Sequence, residues 1–286
     1  MSAQFAKLIV IGAGNMGQAI VFGALRAGVV PAEQVIIIEP DELRRTELAS
    51  GGLMVLSSLS ELAATGAVIA DDASILWAVK PQVFAQVAAE FVGQSAVLQL
   101  GTPTQTGISI MAGVTIAQLA AQTGMRRIIR CMPTLAARDG RSATAVACAP
   151  GLDSELAMGS IIGMQALASV GEMYTLAEEQ LDVFTAVGGS GPAYLFYLAE
   201  AMIAEAISQG IDPTTARAAV SQTLLGAAHM LAGAKGTTAA DLRAQVTSKG
   251  GTTAAAVAIL EARGVGASIR AAIAAGTARA RELSVG

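Results

Sequence analysis

The chain has 286 residues, of which 53% are hydrophobic, 14% are charged and 3% are aromatic, and its formal net charge is −4. This length accommodates one large domain or two ordinary ones, with a core built mainly of aliphatic side chains. The slightly acidic balance and the lack of a basic cluster argue against nucleic acid as a partner.

The first half of the chain alternates short apolar runs with segments of helical periodicity. Strands are predicted at residues 8–11, 35–38, 53–56, 74–79, 96–100, 108–111, 128–132, 143–148 and 172–174. Helices are predicted after the first strand, behind Asp41 as N-cap, and at 60–64, 81–91, 116–121 and 154–169, with a turn-rich insertion at 101–107. Repeated strand–helix units indicate a parallel sheet with helices on both faces, an α/β fold.

The second half contains no further convincing strand. Helices are predicted at residues 177–187, 192–209, 213–232, 239–246, 252–263 and 265–283, separated by glycine-containing turns. Ser190 and Pro192 suit the start of one of these helices as N-cap and early helical residue. We therefore predict two domains, a sheet domain at 1–176 and an all-helical domain at 177–286.

Two features bear on where the chain resides. Residues 91–125 carry no charge, but scattered polar residues interrupt them, so no membrane-spanning helix is predicted. Cys131 and Cys148 have the spacing of neither a metal site nor a disulfide framework. The N-terminal apolar run is assigned to the first strand rather than to a signal peptide. We expect a cytoplasmic protein with no metal and no membrane partner.

The first strand runs directly into a dinucleotide-binding fingerprint. Gly12, Gly14 and Gly17 form Gly-x-Gly-x-x-Gly, with Asn15 and Met16 between the last two glycines. In this strand-to-helix context the glycines permit a tight turn, close approach of a pyrophosphate and close packing of the helix. The helix N-terminus then offers N–H groups to the phosphates.

Glu39 ends the second strand, where the acidic residue of such a fold is expected. Its carboxylate would accept hydrogen bonds from the adenosine ribose and repel a 2′-phosphate, which favours NADH. Arg44 and Arg45 would favour NADPH if either turned inward. The alternative is that Glu39 simply faces solvent.

Another segment follows the fourth strand, at the edge of the sheet where ligands bind. Ala78, Val79, Lys80 and Pro81 lie there, and Lys80 suits a phosphate or ribose contact. A solvated surface lysine is an equally good interpretation.

A third segment, residues 246–253, opens a helix of the second half. Ser248, Gly250, Gly251, Thr252 and Thr253 combine small residues, hydroxyls and a helix N-terminus, which suits a carboxylate. An ordinary helix cap explains the same residues. The lone histidine, His229, has no visible acid–base partner.

Together these motifs resemble the pyrroline-5-carboxylate reductase family, over nearly the whole chain. The resemblance rests on residues 11–17, 78–82, 110–113, 189–194, 246–255 and 281–283. It implies a Rossmann-type doubly wound domain followed by a helical dimerisation and substrate-binding domain. It further implies that NADPH or NADH reduces the C=N bond of a cyclic imino acid, most simply 1-pyrroline-5-carboxylate to L-proline. A homodimer is implied, with rings of dimers as a further assembly.

The resemblance also implies residue roles. Gly250, Gly251 and Thr252 would hold the substrate carboxylate, and Thr253 would be the catalytic residue at the imine nitrogen. Ser248 would complete the substrate site. The cofactor site would include the following residues: Gly12, Gly14, Asn15, Met16, Gly17, Glu39, Ala78, Val79, Lys80, Pro81, Met132 and Pro133.

Several positions depart from the family pattern and leave the substrate open. Thr134, Leu135 and Ala136 replace the usual Asn-Thr-Pro, Gly188 replaces a serine, and Lys249 replaces a proline. A related imino acid is therefore an alternative substrate. A hydroxyacid dehydrogenase is a further alternative, although residues 193–197 lack the catalytic lysine that such an enzyme would require. A non-catalytic NAD(P)-binding sensor or scaffold belongs to a different class.

Overall fold

The computed structural model describes residues 5–285, except the side chains at positions 156 and 285. The chain divides into two compact units. The first runs through Gly189 and also takes in the residues from Gly276 onward, and the second is Ser190–Ala275. The boundary predicted after residue 176 lies upstream of this division.

The first unit is built on one eight-stranded sheet, in the order β3-β2-β1-β4-β5-β6-β7-β8. The strands are β1 (Phe5–Ile11), β2 (Val35–Ile38), β3 (Met54–Leu56), β4 (Val68–Trp77), β5 (Thr106–Ser109), β6 (Arg127–Met132), β7 (Ser142–Cys148) and β8 (Gly171–Thr175). Since β1 lies between β2 and β4, the chain reverses its winding direction at β1, as in a doubly wound fold. The predicted α/β architecture is confirmed.

One pairing in the sheet departs from the predicted parallel arrangement. β7 runs antiparallel to β6, with Cys131 opposite Val146, whereas the other paired strands are parallel. The connection from Pro133 to Arg141 contains a short 3₁₀ turn, Leu135–Asp139. It is too short for a parallel crossover, which needs about a dozen residues or more.

Helices cover both faces of the sheet. They are α1 (Asn15–Arg26), α2 (Glu42–Ala49), α3 (Leu59–Thr65), α4 (Pro81–Leu98), α5 (Ile116–Thr123), α6 (Ser154–Ser160), α7 (Ile162–Ala168) and α8 (Leu181–Phe184). Ile9 and Ile11 of β1 point into the core shared with α3, α4 and α5, while Leu8 and Val10 point into the core shared with α1 and α7. This alternation is the period of a strand buried on both faces.

Three predicted elements of this unit are wrong. Residues 96–98 are the end of α4 and not a strand, because Leu98 continues the buried helical face of Phe84, Ala88 and Phe91. The next strand, β5, therefore begins within the supposed insertion. Residues 154–169 form two helices that break at Ile161, which has extended backbone. The predicted helix 177–187 is a 3₁₀ turn, the short α8 and a π-helical segment, Thr185–Gly189.

The second unit is helical. It holds α9 (Gly191–Ser208), α10 (Pro213–Gly233), α11 (Ala239–Gln245), α12 (Thr252–Ala262) and most of α13 (Val265–Val285). Among its hydrophobic residues only Ala216 and Val220 are buried. No helix among the described residues is long and apolar enough to cross a membrane.

Candidate active site

The fingerprint loop lies where three parallel strands end side by side. The Gly12 N–H donates to the Ile38 carbonyl at the end of β2, and the Ala78 N–H donates to the Ile11 carbonyl, each at 2.8 Å. These bonds hold the loop at the point where the winding direction reverses, which is the ligand-binding edge of such a sheet.

The glycines of the loop meet different demands. Gly12 has φ +95°, and a Cβ on it would come within 2.8 Å of the Ala78 carbonyl oxygen. A Cβ on Gly17 would lie 2.6 Å from the Gly12 carbonyl oxygen, so close packing of α1 on the loop requires that glycine. Around Gly14 there is open space. The loop is thus closed on its protein side and open where a ligand would approach.

The loop fits the pyrophosphate of a nicotinamide dinucleotide. α1 begins after Gly14, which offers no side-chain cap, so the first N–H groups of the helix are left to a ligand. Asn15 is exposed and Met16 is half-buried beside them. The N–H of Ala13 is not left to a ligand, because it already donates to a carboxylate.

That carboxylate is Glu39, which is buried with 4% of its surface exposed. Its Oε2 accepts from Ala13 N at 2.8 Å and its Oε1 accepts from Asp41 N at 3.0 Å. The interpretation that Glu39 merely faces solvent is therefore wrong. The side chain is turned toward the fingerprint loop.

The two arginines near Glu39 behave differently. The guanidinium of Arg44 lies 3.6 Å from Glu39 Oε1 and its side chain is 46% exposed. Arg45 instead donates to the carbonyls of Glu39 and Pro40, at 3.1 and 2.6 Å. Asp41 caps α2 as predicted, through Arg44 N. Arg44 is thus the arginine whose guanidinium lies next to the Glu39 carboxylate.

The segment after β4 reaches the same edge of the sheet. Ala78 and Val79 are half-buried against Gly12, whereas Lys80 is exposed and stands at the N-cap position of α4. Pro81 opens that helix, where its missing N–H costs nothing. Of these four residues, Lys80 is the one whose side chain carries a positive charge that a ligand could contact.

The end of β6 is more enclosed. Met132 and Pro133 are buried, and so is Thr134, which replaces the family asparagine. Thr134 Oγ1 accepts from Ala143 N at 3.2 Å, and Thr134 N donates to Ser142 Oγ at 3.0 Å. The threonine hydroxyl is therefore bound to the start of β7.

The predicted substrate segment lies in the second unit. Gly251 N donates to the Ser248 carbonyl at 3.0 Å around Gly250, whose φ is +74°. This is the conformation that a type II turn requires of its third residue, and Lys249 takes the second position, where proline is favoured. A Cβ on Gly251 would collide with Ser248 Oγ.

The segment also leaves polar groups unused. α12 begins after Gly251 without a side-chain cap. Within the described residues, the hydroxyls of Ser248, Thr252 and Thr253 have no hydrogen-bond partner, and Thr253 is half-buried. The interpretation of these hydroxyls as helix caps is wrong. Ser190 stands at the N-cap position of α9 and Pro192 lies in its first turn, as predicted, but the Ser190 side chain makes no capping hydrogen bond.

Sequence reasoning missed one charged cluster of the first unit. Arg130 has a side chain only 3% exposed, and it lies 3.2 Å from Glu178 and 3.8 Å from Asp182. Glu178 also accepts from Ile116 N at 2.8 Å, and Ser284 Oγ donates to Asp182 at 3.3 Å. The position of this arginine between apolar residues of a strand could have predicted the cluster, because a buried charge needs a partner of opposite charge.

Comparison with known families gives two matches along the chain. Residues 178–283 match the family model described as pyrroline-5-carboxylate reductase dimerisation. Residues 7–103 match the model described as NADP oxidoreductase, coenzyme F420-dependent. The two matches fall on the helical segment and on the fingerprint segment respectively.

Three similar proteins cover nearly the full length. A pyrroline-5-carboxylate reductase of Haemophilus influenzae is 37% identical over 97% of this chain and 97% of its own length. A structure of the reductase from Coxiella burnetii is 28% identical, covers 98% of both chains and has a TM-score of 0.83. That of Plasmodium falciparum pyrroline carboxylate reductase with NADP bound is 23% identical, covers 99% of this chain and 100% of its own, and has a TM-score of 0.81.

Proposed function

Since the chain belongs to the pyrroline-5-carboxylate reductase family, we propose that it reduces 1-pyrroline-5-carboxylate to L-proline. It is an NAD(P)-dependent oxidoreductase that acts on a CH–NH bond. The observation that carries this function is the 37% identity to a reductase over 97% of both chains.

The chemistry needs positioning more than strong acid–base groups. A bound reduced nicotinamide supplies the hydride, whose two electrons form the new C–H bond at the imine carbon. The π electrons of the C=N bond move onto nitrogen, which becomes a neutral amine if the imine was protonated. A protonated imine is already electrophilic, so the residues have to orient it and satisfy its charge.

The cofactor site lies at the fingerprint loop of the first unit. The free N–H groups of α1 would bind the pyrophosphate, and Ala78, Val79, Lys80 and Pro81 would line the same edge of the sheet. Met132 and Pro133 would complete the cofactor site. Glu39 would accept hydrogen bonds from the adenosine ribose, since a carboxylate has about four acceptor sites and two are occupied. We therefore expect NADH to bind at least as well as NADPH.

The substrate site lies at the start of α12 in the second unit. The N–H groups of Gly250, Gly251 and Thr252 would bind the carboxylate, with Ser248 beside them. Thr253 would face the ring nitrogen and serve as the catalytic residue. Its unpartnered hydroxyl supports this role, because it can exchange a hydrogen bond with that nitrogen throughout the reaction.

We further propose that the protein is a homodimer, with a ring of dimers as its larger assembly. The second unit buries few hydrophobic residues of its own, and Leu195, Phe196, Tyr197 and Leu198 of α9 are between 46% and 78% exposed. A helical unit with so little core needs another apolar surface to cover it. A stable monomer at micromolar concentration in light scattering would refute the dimer.

A cytoplasmic location belongs to the same proposal. Cys131 and Cys148 are free, and burial strongly raises the pKa of the Cys131 thiol. Unpaired thiols of this kind suit a reducing compartment.

The experiment is a pair of threonine variants assayed for NAD(P)H consumption with pyrroline-5-carboxylate. Thr253→Val keeps the shape and removes the hydroxyl, and we expect kcat/KM to fall by about ten- to a hundredfold, as for one hydrogen bond to a charged group. Thr252→Val is the matched control and should cost less. Wild-type protein without turnover would refute the function, whereas full activity in Thr253→Val would refute only the role of that hydroxyl.

The departures at Thr134, Leu135 and Ala136 favour one second candidate, a related cyclic imino acid as substrate. Leu135 is 51% exposed just beyond β6. A six-membered ring imino acid, assayed beside the five-membered one, separates the two: a higher kcat/KM for the larger ring would favour the second candidate.

A further inference from the structure

A cavity lies in the first unit, at the end of the sheet opposite the fingerprint loop. It has a volume of about 180 Å³, and its lining includes Lys7, Asp72, Thr104, Thr106, Arg127 and Gln165. Thr106 and Arg127 are the first residues of β5 and β6, so the cavity is at the amino ends of these strands. The proposed function uses none of these residues.

An irregularity between β1 and β4 shapes one side of the cavity. Ala6 pairs with Ile69, but Leu8 pairs with Ser74, so the register shifts at Lys7. The carbonyl of Asp71 in the bulged part of β4 accepts from the hydroxyls of Thr102 and Thr104. Bulges re-aim side chains next to binding sites, and this one brings Lys7 and Asp72 to the same cavity.

Two of the described residues of the lining, Arg127 and Lys7, are cations. The Arg127 Nε donates to Thr106 Oγ1 at 3.2 Å, and Thr106 is only 2% exposed, so a buried hydroxyl orients the guanidinium. Among the described residues, neither Arg127 nor Lys7 forms an ion pair with a carboxylate. Among the described residues of the lining, Asp72 is the one that carries a negative charge, and it is exposed.

We propose that this cavity binds a small oxyanion, phosphate or a low-molecular-weight carboxylate. The remaining N–H groups of Arg127 match two oxygen atoms of such an anion, and Lys7 adds a point charge. The Thr106 hydroxyl holds the Arg127 guanidinium in place before the anion binds, which lowers the entropy cost of binding. Asp72 repels a ligand of high negative charge and so favours an anion of low valence.

The test is a titration of the full-length protein with inorganic phosphate by calorimetry, at constant ionic strength adjusted with chloride. Arg127→Gln and Lys7→Gln should each weaken binding by about tenfold or more, as expected for the loss of a charge-assisted hydrogen bond. Arg126→Gln is the matched control, because Arg126 is exposed and does not line the cavity. Asp72→Asn should tighten binding by removing a like charge.

Several outcomes decide the proposal. Absence of saturable binding with millimolar phosphate, acetate and succinate would overturn it. Binding that Arg127→Gln and Lys7→Gln both leave unchanged would place the anion elsewhere, for example at the fingerprint loop, and would overturn it as well. A preference for phosphate over the carboxylates, or the reverse, identifies the source of the anion. Thermal melts establish that the variants are folded, independently of any reductase activity.

Discussion

Replacement of Glu39 tests how the protein selects its dinucleotide. The carboxylate is 4% exposed and accepts from Ala13 N and Asp41 N, at 2.8 and 3.0 Å. Glu39→Ser removes the charge and all acceptors that reach the loop. We expect the ratio of the dissociation constants to shift toward NADPH.

The magnitude follows from two effects of the charge. Loss of a hydrogen bond from the ribose to a carboxylate costs about 1.5–3 kcal/mol, which weakens NADH by about ten- to a hundredfold. For NADPH the repulsion with the 2′-phosphate disappears, and two unit charges 4 Å apart interact by roughly 4 kcal/mol near a protein surface. Arg44, 3.6 Å from the carboxylate, would also become free to pair with the 2′-phosphate. We expect the ratio to change by at least about tenfold.

A second variant separates charge from shape. Glu39→Gln retains an acceptor for Ala13 N while it removes the charge, whereas Glu39→Ser leaves that buried N–H unpaired at a cost of about 1–3 kcal/mol in stability. If charge governs the choice, both variants shift the ratio. If loop geometry governs it, only the serine variant does.

The assay is the dissociation constant of NADH and of NADPH, each measured by calorimetry for wild type and variants. Glu42→Gln is the matched control, because Glu42 is an exposed carboxylate on the first turn of α2. An unchanged ratio in Glu39→Ser would mean that Glu39 does not contact the ribose, and the reasoning would be refuted.

Three further changes have expected outcomes. Gly251→Val would press its Cβ against Ser248 Oγ, so we expect KM for the imino acid to rise while NAD(P)H binding is retained; unaltered kinetics would place the substrate elsewhere. Lys249→Pro should stabilise the fold by about 0.4–1 kcal/mol in urea melts, because that N–H makes no hydrogen bond within the described residues. Lys235→Pro, which loses the bond from Lys235 N to the Gly233 carbonyl, should destabilise it; equal effects would contradict the turn geometry. Arg130→Met removes the buried cation from two partly exposed carboxylates and should cost about 1–3 kcal/mol of unfolding free energy; a variant as stable as wild type would refute the importance of that network.

The fingerprint loop could be predicted because each of its requirements is local. Gly12 must adopt a positive φ beside the end of β4, and Gly17 must admit the carbonyl of Gly12. Such constraints fix the residue type at a given spacing. The sequence therefore identifies the loop, the flanking strands and the end of the sheet where we propose that the cofactor binds.

Two kinds of feature could not be predicted from the sequence. In one, the same apolar residues suit both a strand and a helix. In the other, the contacting residues lie far apart along the chain. Residues 96–98 are apolar enough for a strand, yet the helical spacing from Phe84 to Leu98 places them on the buried face of α4. The direction of β7 depends on the length of one connection. The partners of Arg130 lie on a segment far along the chain, which no local pattern reveals.

The orientation of polar side chains separates residues that stabilise the fold from residues available to a ligand. Thr134 stands where the family has an asparagine, but its hydroxyl already accepts from Ala143 N, so the backbone uses that polar group. Thr253 is half-buried at the start of α12 with a hydroxyl that has no partner among the described residues. A buried polar group that lacks a protein partner pays a desolvation penalty that a bound ligand can relieve. For this reason the catalytic proposal rests on Thr253 and not on Thr134.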